Sequence, residues 1–142
     1  MARRHVYETV VDVSPHRLFQ AISDIRRWPE WDAGLKSTEH DGAPLRPGSR
    51  FALTPRGGPR VAMMVEATDA PRRFVDVAFL PLARMRTSHD FEPASDGTRV
   101  HLTIETSGPL AFLWDRLVAR KQAAGAAEQT RRLANFAKDA YK

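Results

Sequence analysis

The sequence predicts an α+β domain: a curved antiparallel sheet of about six to seven strands, closed by one long C-terminal helix, with two short helices after the first strand. Three observations carry this reading. Residues 35–107 are mostly β-rich alternating runs joined by short Gly, Pro and Asp turns, which suit antiparallel neighbours and leave no room for crossover helices. Ser14-Pro15 is a helix-start signal directly after the first alternating run. Residues 109–141 form the only stretch long and regular enough for a long helix.

In chain order, His5 to Val13 alternates, with Tyr7, Thr9, Val11 and Val13 on one side and Glu8 and Asp12 on the other. Ser14 caps a short helix from Pro15 to Ser23, whose buried face is Leu18, Phe19 and Ile22, and Asp24 caps a second short turn through Arg27. Trp28 and Trp31 then flank Pro29. Two such rings belong in the core or over a pocket, each with an N–H that needs a partner.

The strands follow at 35–40, 49–54, 60–68, 72–80, 83–92 and 98–107, with the connector 43–48 punctuated by proline. Such a sheet has one apolar concave face and no second sheet to cover it, so the terminal helix must do so. A straight helix over 109–141 would be roughly 48 Å long, more than a small domain spans, so a bend is expected at Gly125. Its middle, Ala123 to Ala127, is small on every side and is expected to leave a hole beneath it.

The chain of 142 residues is long enough for one domain that buries about two thirds of its unfolded surface without a staple. It has no cysteine, which excludes disulfides, thiol nucleophiles and thiolate metal sites. Histidines 5, 16, 40, 89 and 101 are dispersed without metal-ligand spacing, so no metal or other cofactor is expected. The net charge of +5 is scattered and accompanies no reader motif, so no nucleic-acid partner is expected. No signal peptide and no membrane-length apolar run is seen, giving the expectation of a soluble cytoplasmic protein, monomer or homodimer.

Several motifs carry a family resemblance: residues 11–24 (VDVSPHRLFQAISD), Arg27-Trp28-Pro29-Glu30-Trp31-Asp32, residues 44–51 (PLRPGSRF), Pro71-Arg72-Arg73-Phe74, His89-Asp90-Phe91-Glu92-Pro93, and Asp96-Gly97-Thr98-Arg99-Val100 ahead of Ser107-Gly108-Pro109-Leu110. In this order, over nearly the whole chain, they resemble the START-like (SRPBCC, Bet v 1-like) superfamily and its bacterial polyketide cyclase/dehydrase-like branch. The resemblance implies a helix-grip fold with a hydrophobic tunnel between sheet and helix. It also implies relatives that bind lipids, sterols, hormones or polyketides, some acting as cyclases, dehydratases or chaperone partners.

In strand 83–92 one parity reads Met85, Thr87, His89, Phe91, and its polarity makes it the inward one, placing a neutral His89 among apolar neighbours. Strand 72–80 has two partly apolar faces, so its inward parity stays open between the Phe79 face and the Asp76 face. An inward Asp76 would offer His89 an acid/base partner. The expected function is binding of a small hydrophobic, weakly acidic included, molecule. Its walls are Trp28 and Trp31 at the mouth, Met63, Phe79, Met85, His89 and Phe91 from the sheet, and Leu117, Lys121 and Gly125 from the helix. Arginines near the mouth are expected to attract a carboxylate. The alternatives are a cyclase or dehydratase using His89, with Asp76, and a co-chaperone-like interaction module.

Overall fold

The computed structural model describes residues 3–141. Strand β1 (Arg3–Val11) leads through Ser14 into α1 (Pro15–Ser23) and a 3₁₀ turn (Ile25–Glu30). The strands β2 (Leu35–Glu39), β3 (Arg50–Pro55), β4 (Val61–Asp69), β5 (Arg73–Leu80), β6 (Ala83–Ala94) and β7 (Gly97–Ser107) follow. Four helical pieces end the chain: α2 (Ala111–Trp114), a π turn (Asp115–Ala119), α3 (Arg120–Ala124) and α4 (Ala126–Ala140). All seven strands form one antiparallel sheet in the order β1-β7-β6-β5-β4-β3-β2, a meander from β2 to β7 with β1 added beside its last strand.

Local chemistry explains the joints. Ser14 accepts from the Arg17 amide at 3.3 Å, and Pro15 occupies the first turn of α1, where its missing N–H has no partner to lose. Asp24 makes no capping bond and instead accepts from the Tyr141 hydroxyl at 2.6 Å, tying the end of the chain to the end of α1. Thr98, fully buried at the start of β7, donates to the Val13 carbonyl at 2.6 Å. Beside it Gly97 holds φ +142, and a Cβ there would lie 2.1 Å from the Val11 carbonyl oxygen, so only glycine lets β7 pass this close to the end of β1.

The terminal helix differs from expectation in where it begins and in its phase, while its break at Gly125, between α3 and α4, falls where it was expected. Pro109 stays in the turn before it, and the helix begins at Ala111. A π turn at Asp115–Ala119 adds a residue to one turn and shifts the helical phase. The helix bends at Gly125 without losing its ladder, because the Gly125 amide reaches the Lys121 carbonyl at 3.1 Å and the Gln129 amide reaches Gly125 at 3.0 Å. The buried Asp115 accepts from His5 Nε2 at 2.7 Å and pairs with Arg120 at 3.3 Å, pinning the helix to β1.

The small residues of this helix split between two faces. Ala119 and Ala126 are fully buried and belong to the core, whereas Ala124, Gly125 and Ala127 are exposed. Ala119 and Ala126 face inward in the helical segment that packs near β1, and Ala124 and Gly125 face away from the core. Ala126→Leu is accordingly expected to cost about 1–3 kcal/mol by overpacking. Ala124→Leu is expected to change stability by less than about 0.5 kcal/mol. Urea unfolding of the two variants checks the pair.

Candidate functional site

The inner face of the sheet follows from register. On β6, Met85, Thr87, His89 and Phe91 are all buried, and opposite them on β5 stand Ala78 (across from Met85), Asp76 (from Thr87) and Phe74 (from His89). Residues directly opposite share a face, so Asp76 points inward. The same face continues to Met63 and Val65 on β4 and to Leu102, Ile104 and Thr106 on β7, all buried. The apolar members of this set lie in the main core cluster, while Val75 and Val77, on the other parity, do not.

This inner surface is apolar with a few polar points. Asp76 is 5% exposed and His89 is 9% exposed. Burial alone raises the Asp76 carboxyl to about 7 and lowers His89 to about 4, because each charged form loses its water without gaining a counter-charge. The two sit diagonally across neighbouring strands, roughly 7–8 Å apart. His89 Nδ1 and Thr106 Oγ1 have no hydrogen-bond partner among the described residues, and neither has Trp31 Nε1. The buried set of described residues contains no lysine or arginine.

The tryptophans lie deeper than a mouth. Trp28 packs edge-on against Phe51 and Phe74 at 5.4 and 6.3 Å and donates its Nε1–H to the Ile22 carbonyl at 2.9 Å. Trp31 is equally buried, 6.2 Å from Trp28. The next residue, Asp32, accepts from Gln129 at 2.9 Å, so this turn is clamped to α4. The pair forms the inner lining of the turn over β3 and β5.

Four expected lining residues are placed elsewhere. Phe79 lies on the outer parity of β5, between the guanidinium groups of Arg50 and Arg84 at 5.1 and 5.3 Å. Leu117 is 47% exposed, and Lys121 and Gly125 are exposed as well. Near Gly125 the buried helix positions are Ala119, Ala126 and Thr130, followed by Leu133, Ala134 and Ala137 further along α4. Sequence reasoning did not assign Thr106 or Thr130. For Thr106 the signal was present, since Thr98, Val100, Leu102, Ile104 and Thr106 alternate along β7.

A concavity lies at the end of the molecule where α1 meets the β2–β3 connector. This cleft of about 550 Å³ is bordered by Phe19, Ser23, Arg26, His40, Leu45 and Thr68. Arg26 closes one side by donating Nε–H to the His40 carbonyl at 2.9 Å. Among the described residues no cluster of His, Asp and Glu is arranged to hold a metal ion, and no helix is long and apolar enough to cross a membrane.

Comparison with solved structures agrees with this architecture. The protein Ara h 8.0201 superposes with a TM-score of 0.75 at 16% identity, covering 98% of this chain and 99% of that one. Protein MLL2253 from Mesorhizobium loti gives 0.73 at 21% identity over 99% and 100% of the two chains. The di-domain ARO/CYC StfQ of the steffimycin biosynthetic pathway gives 0.77 at 12% identity, covering 97% of this chain and 51% of that one. At these identities the likeness is one of fold, the helix-grip arrangement of Bet v 1-like proteins. No curated protein sequence matches the chain. A family model does match, over residues 3–140, and by it the chain belongs to the polyketide cyclase / dehydrase and lipid transport family.

Proposed function

We propose that this protein binds a small hydrophobic molecule between the concave face of the sheet and the C-terminal helical segments. One observation carries the reading: buried polar atoms without protein partners recur on one otherwise apolar surface, the inner face of the sheet. Native cores satisfy roughly nine in ten of their buried polar groups. Here His89 Nδ1 and Thr106 Oγ1 lie on the inner face of β6 and β7, beside the buried Asp76 of β5 and with Trp31 Nε1 in the turn after α1, while Ser23 Oγ, also without a partner, borders the end cleft. A few convergent polar groups on an apolar wall are the usual make-up of a small-molecule site. The surrounding family, with lipid transport in its description, supports the same class of ligand.

The test is a fluorescence titration with the neutral apolar probe N-phenyl-1-naphthylamine. Saturable binding of one probe per chain, in the micromolar range and lost on unfolding, is the expected result. Emission that rises without saturation, or does not rise at all, would remove the proposal.

A second reading, a cyclase or dehydratase, is favoured by one feature. A carboxyl raised to about 7 has the proton affinity that acid/base chemistry near neutral pH asks for, and it shares its face with a neutral imidazole that can hydrogen-bond a substrate oxygen. Under that reading His89→Phe keeps probe binding and abolishes turnover of a polyketide-like substrate. Unchanged turnover in that variant would exclude His89 from the chemistry.

A further inference from the structure

We infer that Asp76 makes the inner surface select neutral, hydroxyl-bearing ligands and refuse carboxylates; this rests on the ligand-binding reading above and sharpens it. The sequence alone suggested the opposite, a carboxylate drawn in by arginines. Register and burial argue against that. Asp76 is the acidic side chain buried in the middle of the sheet's inner face, and the buried residues of the described chain include no lysine or arginine to offset it. The arginines of the neighbouring strands are turned outward. Arg86, opposite Val77, is bonded to Glu66 at 2.5 Å, and Arg84 and Arg50 lie over Phe79.

The remaining polar points suit an uncharged oxygen. Neutral His89 leaves Nδ1 free to accept or donate according to its tautomer, and Thr106 Oγ1 can do either. An ionised Asp76 accepts only, so it calls for a donor such as a phenol or alcohol. A carboxylate brought to the same place would face a like charge in a poorly solvated site, where the repulsion is least screened. From strand spacings, Asp76 and Thr106 stand roughly 12 Å apart on the face, and Asp76 and His89 roughly 8 Å. Those spans suit hydroxyls carried on an elongated ring system.

The experiment compares naphthol with the naphthoate of the same substitution pattern, by calorimetry at pH 8, where Asp76 is ionised. The parent protein and two carboxylate-free variants, Asp76→Asn and Asp76→Thr, are used, each checked for folding by circular dichroism. The expected result is binding of naphthol with naphthoate at least about tenfold weaker, and a ratio that collapses toward one in the variants because naphthoate gains. Naphthoate binding the parent as well as naphthol does, or a ratio unmoved by both substitutions, overturns the role of Asp76 and leaves the ligand-binding reading standing. Failure of both compounds and of N-phenyl-1-naphthylamine to bind removes that reading, and the selectivity with it.

Discussion

Asp76→Asn is expected to lose stability in acid more steeply than the parent protein, and removal of the His89 imidazole is expected to have the reverse effect. The signs follow from proton counts. Asp76 goes from 3.8 unfolded to about 7 folded, so between those values the folded state keeps a proton the unfolded state has released, and stability falls as pH rises. His89 goes from 6.5 unfolded to about 4 folded, so between those values the unfolded state holds the extra proton, and stability falls as pH drops. The windows overlap from about pH 4 to about pH 6.5, where the two slopes cancel.

Each single variant keeps one slope. Asp76→Asn should lose about 3 kcal/mol relative to the parent between pH 6.5 and pH 4, at about 1.4 kcal/mol per pH unit. His89→Gln should lose about 3 kcal/mol relative to the parent as pH rises from 4 to 6.5. Other carboxylates also titrate in acid. Asp12 is held low by Lys138, Glu30 by Arg27 and Glu128 by Arg131, but these surface pairs are common to all three proteins and drop out of the differences. Urea denaturation across pH 4–8 reads the slopes, and parallel curves for all three proteins would show that neither group is buried without a counter-charge.

The largest loss from a single truncation is expected at Phe74. Its ring is fully buried and meets Phe19 at 6.5 Å and Trp28 at 6.3 Å, both edge-on, so it joins β5 to α1 and to the tryptophan turn. Removing it deletes a large apolar surface and leaves a cavity whose walls belong to three elements and cannot collapse together. Phe74→Ala should cost about 3–5 kcal/mol. Phe112, 58% exposed on α2, is the control, and its alanine variant should stay within about 0.5 kcal/mol of the parent.

Much of this structure is legible in the sequence, for identifiable reasons. Ser14-Pro15 and the Gly, Pro and Asp turns fix where elements start and stop. In β6 the charged residues Arg84, Arg86 and Asp90 share one parity, so the inward placement of His89 could be read directly. In β5 the same logic fails, since Val75 and Val77 are buried on the outer side while Asp76 is buried on the inner side. Polarity there points to neither face, and only pairing with β6 decides. The helix face was misread for a different reason. The π turn at Asp115–Ala119 breaks the 3.6-residue phase, so Leu117, apolar in character, rotates to the outside while Ala119 and Ala126 turn in. A run of alanines and a glycine carries no polarity with which to detect that rotation.

A ligand seated against Asp76, His89 and Thr106 is what the proposed function requires. That placement is tested most directly by amide chemical-shift mapping of the ¹⁵N-labelled protein during a titration with naphthol. The predicted result is that the largest saturable shifts fall on Asp76, Thr87, His89 and Thr106, the inner residues of β5, β6 and β7. Shifts confined to Ser23, Arg26, His40 and Thr68, around the end cleft, would contradict it.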